Sequence, residues 1–308
     1  MKSEINSFWL RIALALLISL GLAVHGKKKK SLATSGAIAA IVVGFCSFAT
    51  SYRFGIILIA FYYTGSKLTK VKEDIKAKLE DEYALGGQRN WIQVLANSVL
   101  ATAVCITYYI YFGEDSHISF ETKHNGNRSY LLILYISHYA CAAADTWASE
   151  LGILSISKPR LVTTFFLREV PPGTNGGMSI LGTVASLAGG AFIGLVFWLM
   201  SFFTVTGDVP SNQFAAVIIG AVAGLLGSLF DSIMGATLQA SYYSKNRKCI
   251  IKMNKKKHTA DLDVIRICGS DVLTNEDVNF WSIALTCIVM YWLGPIIFCS
   301  LNQNACIL

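Results

Sequence analysis

Charge is what this sequence has least of: 15% of its 308 residues are Asp, Glu, Lys or Arg, against about 25% in a soluble domain. So few charges cannot cover the surface of a water-soluble body of this size. Disorder is excluded as well, because 54% of the chain is apolar and disordered chains are poor in apolar residues. No C-x-x-C pair occurs among the eight cysteines, and most of them lie in apolar runs. Neither a zinc site nor a disulfide framework is therefore expected. The last four residues begin with Ala305, so there is no prenylation box. The first apolar run is followed by Lys27–Lys30 instead of a small-residue cleavage site, and reads as a retained helix.

What remains is hydrocarbon-compatible sequence. A helix needs roughly 20 mostly apolar residues to cross a bilayer. Eight such segments are expected, at 8–25, 32–50, 53–64, 91–112, 130–154, 178–204, 213–240 and 280–301. Residues 1–308 then form a single all-α transmembrane domain, a polytopic integral membrane protein, with 65–90 and 241–278 as cytosolic loops. Basic residues orient it. Of 26 Lys and Arg, 21 fall in the loops after spans 1, 3, 5 and 7, which makes those loops cytosolic and the N-terminus lumenal. The net charge of +7 is then an orientation signal and a match for anionic lipid headgroups, not for nucleic acid. Asn127-Arg128-Ser129 is a glycosylation acceptor sequence on the lumenal side.

Three acids fall inside spans: Asp145 and Glu150 in span 5, Asp231 in span 7. An ionisable group at membrane depth costs roughly 2.5–3.5 kcal/mol and points to function. Spans 5 and 7 run the same way, and both aspartates lie in their cytosolic halves. Each is followed by a hydroxyl residue, then a bulky one, with a small residue in the fourth place, a weak internal repeat that suggests two carboxylates at one site. Facing carboxylates repel unless they share a proton or bind a cation, and hard oxygen ligands near phosphate favour Mg²⁺. Glu150 lies about 140° around the helix from Asp145, in reach of a neighbouring part of the site.

The cytosolic loops hold complementary groups. Pro171-Pro172-Gly173-Thr174-Asn175-Gly176-Gly177 opens span 6, and such a turn suits either a phosphate or a tight return into the membrane. It is not a Walker A loop, since no Gly-Lys-Ser/Thr follows. Lys67 and Arg89 each abut a span and suit phosphates, whereas Gln93 and Asn97 put polar groups on one face of span 4. The mixed-charge stretch from Lys70 to Glu82 reads as an exposed, solvated helix. Lys252 and Lys255–Lys257 read as anionic-lipid contacts, and Thr274 or Asn275 as the cap before span 8.

The strings Ala144–Gly152, Val170–Gly177, Gln93–Asn97 and Gly227–Gln239 resemble one polytopic family, long catalogued as a domain of unknown function. It includes animal transmembrane protein 19 and the plant phytyl-phosphate kinase of vitamin E biosynthesis. The resemblance spans about Gly36 to Trp292 and is nearer the former through Gly86–Trp91. It implies phosphoryl transfer from a nucleoside triphosphate, CTP or ATP, to an isoprenyl (phytyl- or polyprenyl-type) monophosphate. In that reading Asp145, Glu150 and Asp231 are the catalytic and Mg²⁺ residues, with Glu150 a third ligand or the organiser of a ligated water. Gly173, Thr174, Asn175, Gly176 and Gly177 cradle the nucleotide, and Lys67 and Arg89 neutralise phosphate charge. Gln93, Asn97, Ser149 and Gln239 supply polar groups, while the lipid tail lies among spans 4 to 7. The rivals are a nucleotidyl transferase making a CDP-lipid, a lipid or ion transporter with no catalysis, and a silent scaffold. The endoplasmic reticulum is the default membrane for such an enzyme.

Overall fold

The computed structural model describes residues 2–79, 87–113, 115–165, 168–206, 209–251, 263–302 and 306, with side chains from Phe8 onward except Ser211. The N-terminal part holds helices α1 (Lys2–Lys28), α2 (Thr34–Thr50), α3 (Tyr52–Thr69), α4 (Glu73–Leu79), α5 (Trp91–Ala96), α6 (Val99–Phe112) and α7 (Lys123–Gly152). A two-stranded antiparallel pair, β1 (Arg160–Leu161) and β2 (Gly177–Met178), precedes α8 (Ile180–Thr204) and α9 (Ala215–Leu238). Strands β3 (Ser241–Ser244), β4 (Cys249–Ile251) and β5 (Val264–Cys268) form an antiparallel sheet of order β4-β3-β5, and α10 (Asn275–Leu301) follows.

Every predicted span coincides with helix, and four helices are long and apolar enough to cross a membrane: Phe8–Lys28, Ile180–Thr204, Asn212–Leu238 and Asn275–Leu301. Helices α2 and α6 are shorter but also apolar. The expected span 91–112 is two helices, broken at Asn97 and Ser98. There the Asn97 and Ser98 side chains donate back to the carbonyls of Gln93 and Val94, the competition with helix that these residue types favour. His138 Nε2 lies 2.9 Å from the Asn97 carbonyl oxygen, which restores a partner to backbone at the break.

Helix α7 is the centre of the bundle, packed by α3, α6, α8, α9 and α10. Leu132, Ile133 and the run Tyr135–Ala144 are all buried. Small residues set the closest approach: a β-carbon added at Gly190 of α8 would collide with the Gly220 carbonyl of α9, and one at Gly194 with that of Ala216. In lipid, where apolar surface gains nothing by leaving the solvent, such close packing is the main attraction between helices.

Two expectations are corrected. The chain is mostly helical but not all-α, because the loop after α9 contains a three-stranded sheet. Ser241-Tyr-Tyr-Ser, Cys249-Ile-Ile and Val264-Ile-Arg-Ile-Cys are β-branched and aromatic runs too short to stand out in a chain rich in such residues. A disulfide is also present, Cys299–Cys306. Cys306 returns beside the end of α10 because residue 306 forms a β-bridge with Phe120, an approach that a spacing of seven residues does not announce.

The connections gather at two ends of the bundle. At one, Arg53 pairs with Asp115 and donates to Ser201 (3.0 Å) and to the Ser116 carbonyl (2.6 Å), while Ser51 and Thr204 both donate to Asp115. Gln213 bonds the backbone of Ile118 there, and the disulfide lies beside Phe120. At the other end Leu32 bridges Arg89, Lys70 donates to the Lys29 carbonyl, and the Gly-rich turn meets β3.

Candidate functional site

The site is built where α7 and α9 touch. Cys141 and Gly227 pack so closely that a β-carbon on Gly227 would strike the Cys141 sulfur. One turn further along each helix stand Asp145 and Asp231, and the contact therefore brings the two carboxyls into direct interaction. Both line one cavity of about 760 Å³, within the roughly 300–1,000 Å³ usual for small-ligand sites. Asp231 Oδ2 is buried without a hydrogen-bond partner among the described residues. An acceptor oxygen left orphaned beside a second carboxylate is a fit for a hard divalent cation.

Glu150 is arranged differently. Its Oε2 lies 2.6 Å from Lys76 Nζ and its Oε1 accepts from Thr69 Oγ1 at 2.6 Å. Lys76 also donates to the carbonyls of Leu68 (2.7 Å) and Thr69 (3.2 Å). The described residues hold no group of three or more His, Cys, Asp and Glu arranged for a metal; Glu150 lines the same cavity, with its carboxylate engaged by Lys76 and Thr69. The stretch from Lys70 is largely exposed as expected, as far as it is described, with one exception: Lys76 is 1% exposed. Glu80, Asp81 and Glu82 lie outside the described residues, as do Gly86, Lys252 and Lys255–Lys257.

Arg89 reaches the same cavity. Its backbone is bonded on both sides to the segment before α2, through the Ser31 carbonyl and the Ala33 amide, and its Nη1 donates to Ser66 at 3.0 Å. Burial draws the guanidinium pKa down from its ordinary value, against the opposing pull of Tyr62 and Glu150; an arginine so placed still carries its charge. Lys67 is not brought to this wall. It is exposed, with its ammonium 4.6 Å above the Tyr63 ring.

Residues Gly173–Gly177 form part of the cavity wall. Gly173 and Gly176 have φ of +85° and +72°, values that glycine adopts freely. A β-carbon on Gly176 would also collide with Ala236 and the Ser232 carbonyl, so the turn lies flat on α9 one turn beyond Asp231. Much of its donor capacity is already spent: the Thr174 amide donates to Pro171, that of Gly177 to Thr174, and that of Asn175 to Ser241 Oγ of β3. The α8 cap is Ser179, which accepts from the Gly182 amide and donates to the Gly152 carbonyl.

Gln93, Asn97, Ser149 and Gln239 all line the cavity. Gln93 is also engaged locally, completing a capping box with Asn90 at the start of α5. Thr274, also on the cavity wall, caps α10 in a box with Asp277, one of the two candidates expected. Tyr62, Tyr242 and Lys76 are contributions that sequence reasoning missed: two line the cavity and one holds Glu150. The aromatic pair Tyr242-Tyr243 between serines was the only signal for the sheet, and nothing in the sequence singles out Lys76 among its neighbouring lysines.

The family model described as integral membrane protein DUF92 matches residues 17–287. Protein PGR of Arabidopsis thaliana is 42% identical over 279 residues, covering 90% of this chain and 93% of that protein. The uncharacterized membrane protein MJ0933 of Methanocaldococcus jannaschii is 33% identical over 232 residues, 75% of this chain and 84% of that one. Protein VTE6, chloroplastic, of Arabidopsis thaliana is 28% identical over 209 residues, 68% of this chain and 56% of that one. No solved structure matches.

Proposed function

The chain belongs to the DUF92 family of integral membrane proteins, and from that premise we propose that it transfers a phosphoryl group from a nucleoside triphosphate, CTP or ATP, to an isoprenyl monophosphate. The observation that carries the reading is the Asp145–Asp231 pair, with its orphaned oxygen, in a cavity that also holds Arg89. The resemblance of the family strings suggests the reaction class, and the distant likeness to VTE6 is in keeping with it. Eight crossings, with this cavity on the cytosolic side of an endoplasmic reticulum membrane, would place it where nucleotides are.

Two carboxylates and one arginine attract phosphate poorly on their own. Asp145 and Asp231 would hold Mg²⁺, which when bound neutralises phosphate charge. Arg89 gives the acceptor phosphate a fixed fork of donors at the membrane edge. The Gly173–Gly177 turn, with three amides already committed, serves as a close-fitting wall for the nucleotide more than as a full amide cradle. Glu150, held by Lys76 and Thr69, keeps Arg89 oriented and charged. A non-bridging oxygen of the lipid phosphate attacks the terminal phosphorus, and the bond from that phosphorus to the nucleoside diphosphate breaks. The acceptor is already ionised, so positioning and charge neutralisation carry the rate.

The test offers purified protein a panel of isoprenyl monophosphates with labelled ATP and CTP, with and without Mg²⁺. Lipid diphosphate and nucleoside diphosphate are the expected products. CDP-lipid with pyrophosphate would replace the kinase by a nucleotidyl transferase. Movement of substrate across liposomes without nucleotide consumption would replace both by a transporter.

A further inference from the structure

The cavity does not stop at the carboxylates. Past Phe61 and Tyr62 it continues into an apolar arm between α1, α2 and α3, lined by Leu22, Ala40, Val43 and Leu58. The arm descends to Ser19 and Gly44, and about one turn further Ala15, Ser47 and Phe48 are fully buried. A β-carbon on Gly44 would meet Ser19 Oγ at 2.9 Å, so α1 and α2 close against each other at the bottom. One continuous space thus has an acidic, cation-ready end and a hydrocarbon end, and a single amphiphile fills both. We propose that this arm binds the first isoprene units of the lipid phosphate's tail, so that the tail enters between α1, α2 and α3 and not among α5–α9.

The proposal rests on the lipid-phosphate reading of the headgroup site. A tail leaving the bilayer for the arm exchanges one apolar medium for another and gains little beyond packing. Affinity therefore resides at the phosphate, and the arm acts by admitting or rejecting chain. Filling it should cost long-tailed substrates and spare one too short to reach it.

A prenyl monophosphate bearing a diazirine in its second isoprene unit tests this with the full chain in nanodiscs. Photolabel is expected on peptides of α1–α3, at or near Ser19–Ala23, Ala40–Gly44 and Leu58–Tyr62, and competed by unlabelled geranylgeranyl monophosphate. Ala40→Trp should lower that labelling at least tenfold, and should lower turnover of geranylgeranyl monophosphate far more than that of isopentenyl monophosphate. Label confined to α5–α9, or equal losses for both substrates with labelling intact, would overturn the tail site. Label in α1–α3 on a protein that transfers no phosphoryl group would instead refute the kinase reading and leave the tail site standing.

Discussion

At the scale of single residues, the two aspartates make the sharpest claim. Carboxylates in direct interaction repel, and each also loses hydration in the bundle, so without a cation the pair works against folding. Asp231→Asn is therefore expected to raise the melting temperature of the detergent-solubilised protein in metal-free buffer, while lowering kcat/KM about a hundredfold, since a bound metal ion contributes several kcal/mol. Mg²⁺ should stabilise the wild type by about 2.7 kcal/mol at a hundred times its Kd and leave Asp231→Asn nearly unmoved. Thermal scans across a Mg²⁺ titration check both, and an equal Mg²⁺ response in the two proteins would remove the cation from the pair. The carboxylates were legible in the sequence because an acid in an apolar run is conspicuous. The role of Glu150 was not, because its partner Lys76 sits among Lys70, Lys72 and Lys78, and charge patterning does not tell the one buried ammonium from its exposed neighbours.

At the scale of elements, the chain shows why hydropathy finds helices more readily than their arrangement. α7, with its Tyr, Ser and His residues, is too polar to rank among the apolar spans, yet it is the most enclosed helix, packed by other helices instead of lipid. The sheet β3–β5 escaped notice because strands of three to five residues leave no period to read. Two contacts between elements predict measurable effects. Gly220→Ala forces a methyl group against the Gly190 carbonyl and should cost about 1–3 kcal/mol, as overpacking does, seen as a lower aggregation temperature in detergent. Lys76→Ala leaves Glu150 without its cation and α4 without its anchor at the end of α7. Breaking a buried pair costs about 3–5 kcal/mol, and with Glu150 partly solvated the expected loss is nearer 2 kcal/mol. In the double variant Lys76→Met/Glu150→Gln most of that loss should return, whereas additive losses would show that the pair does not couple α4 to the site.

At the scale of the whole molecule, two unrelated signals bear on orientation. Among the described residues, Lys29, Lys70 and Lys76 lie in connections at the end with the cavity, and basic loops tend to stay on the cytosolic side. The opposite end carries the Cys299–Cys306 disulfide and the buried Arg53–Asp115 pair. Cytosolic thiols are kept reduced, so a structural disulfide belongs on the lumenal or outer side. Neither signal depends on the other, and both favour the proposed orientation, with the cavity toward nucleotide and the disulfide away from it. The sequence carried the first signal in its charges but concealed the second, since Cys306 pairs only because the chain folds back against Phe120. Protein denatured at lysis directly into maleimide-polyethylene glycol should take up six tags, matching the six free cysteines, and eight when it is reduced first. Eight tags before reduction would mean that the end of α10 lies in a reducing compartment. The orientation would then invert, and the carboxylate pair would be turned away from the nucleotide it is proposed to use.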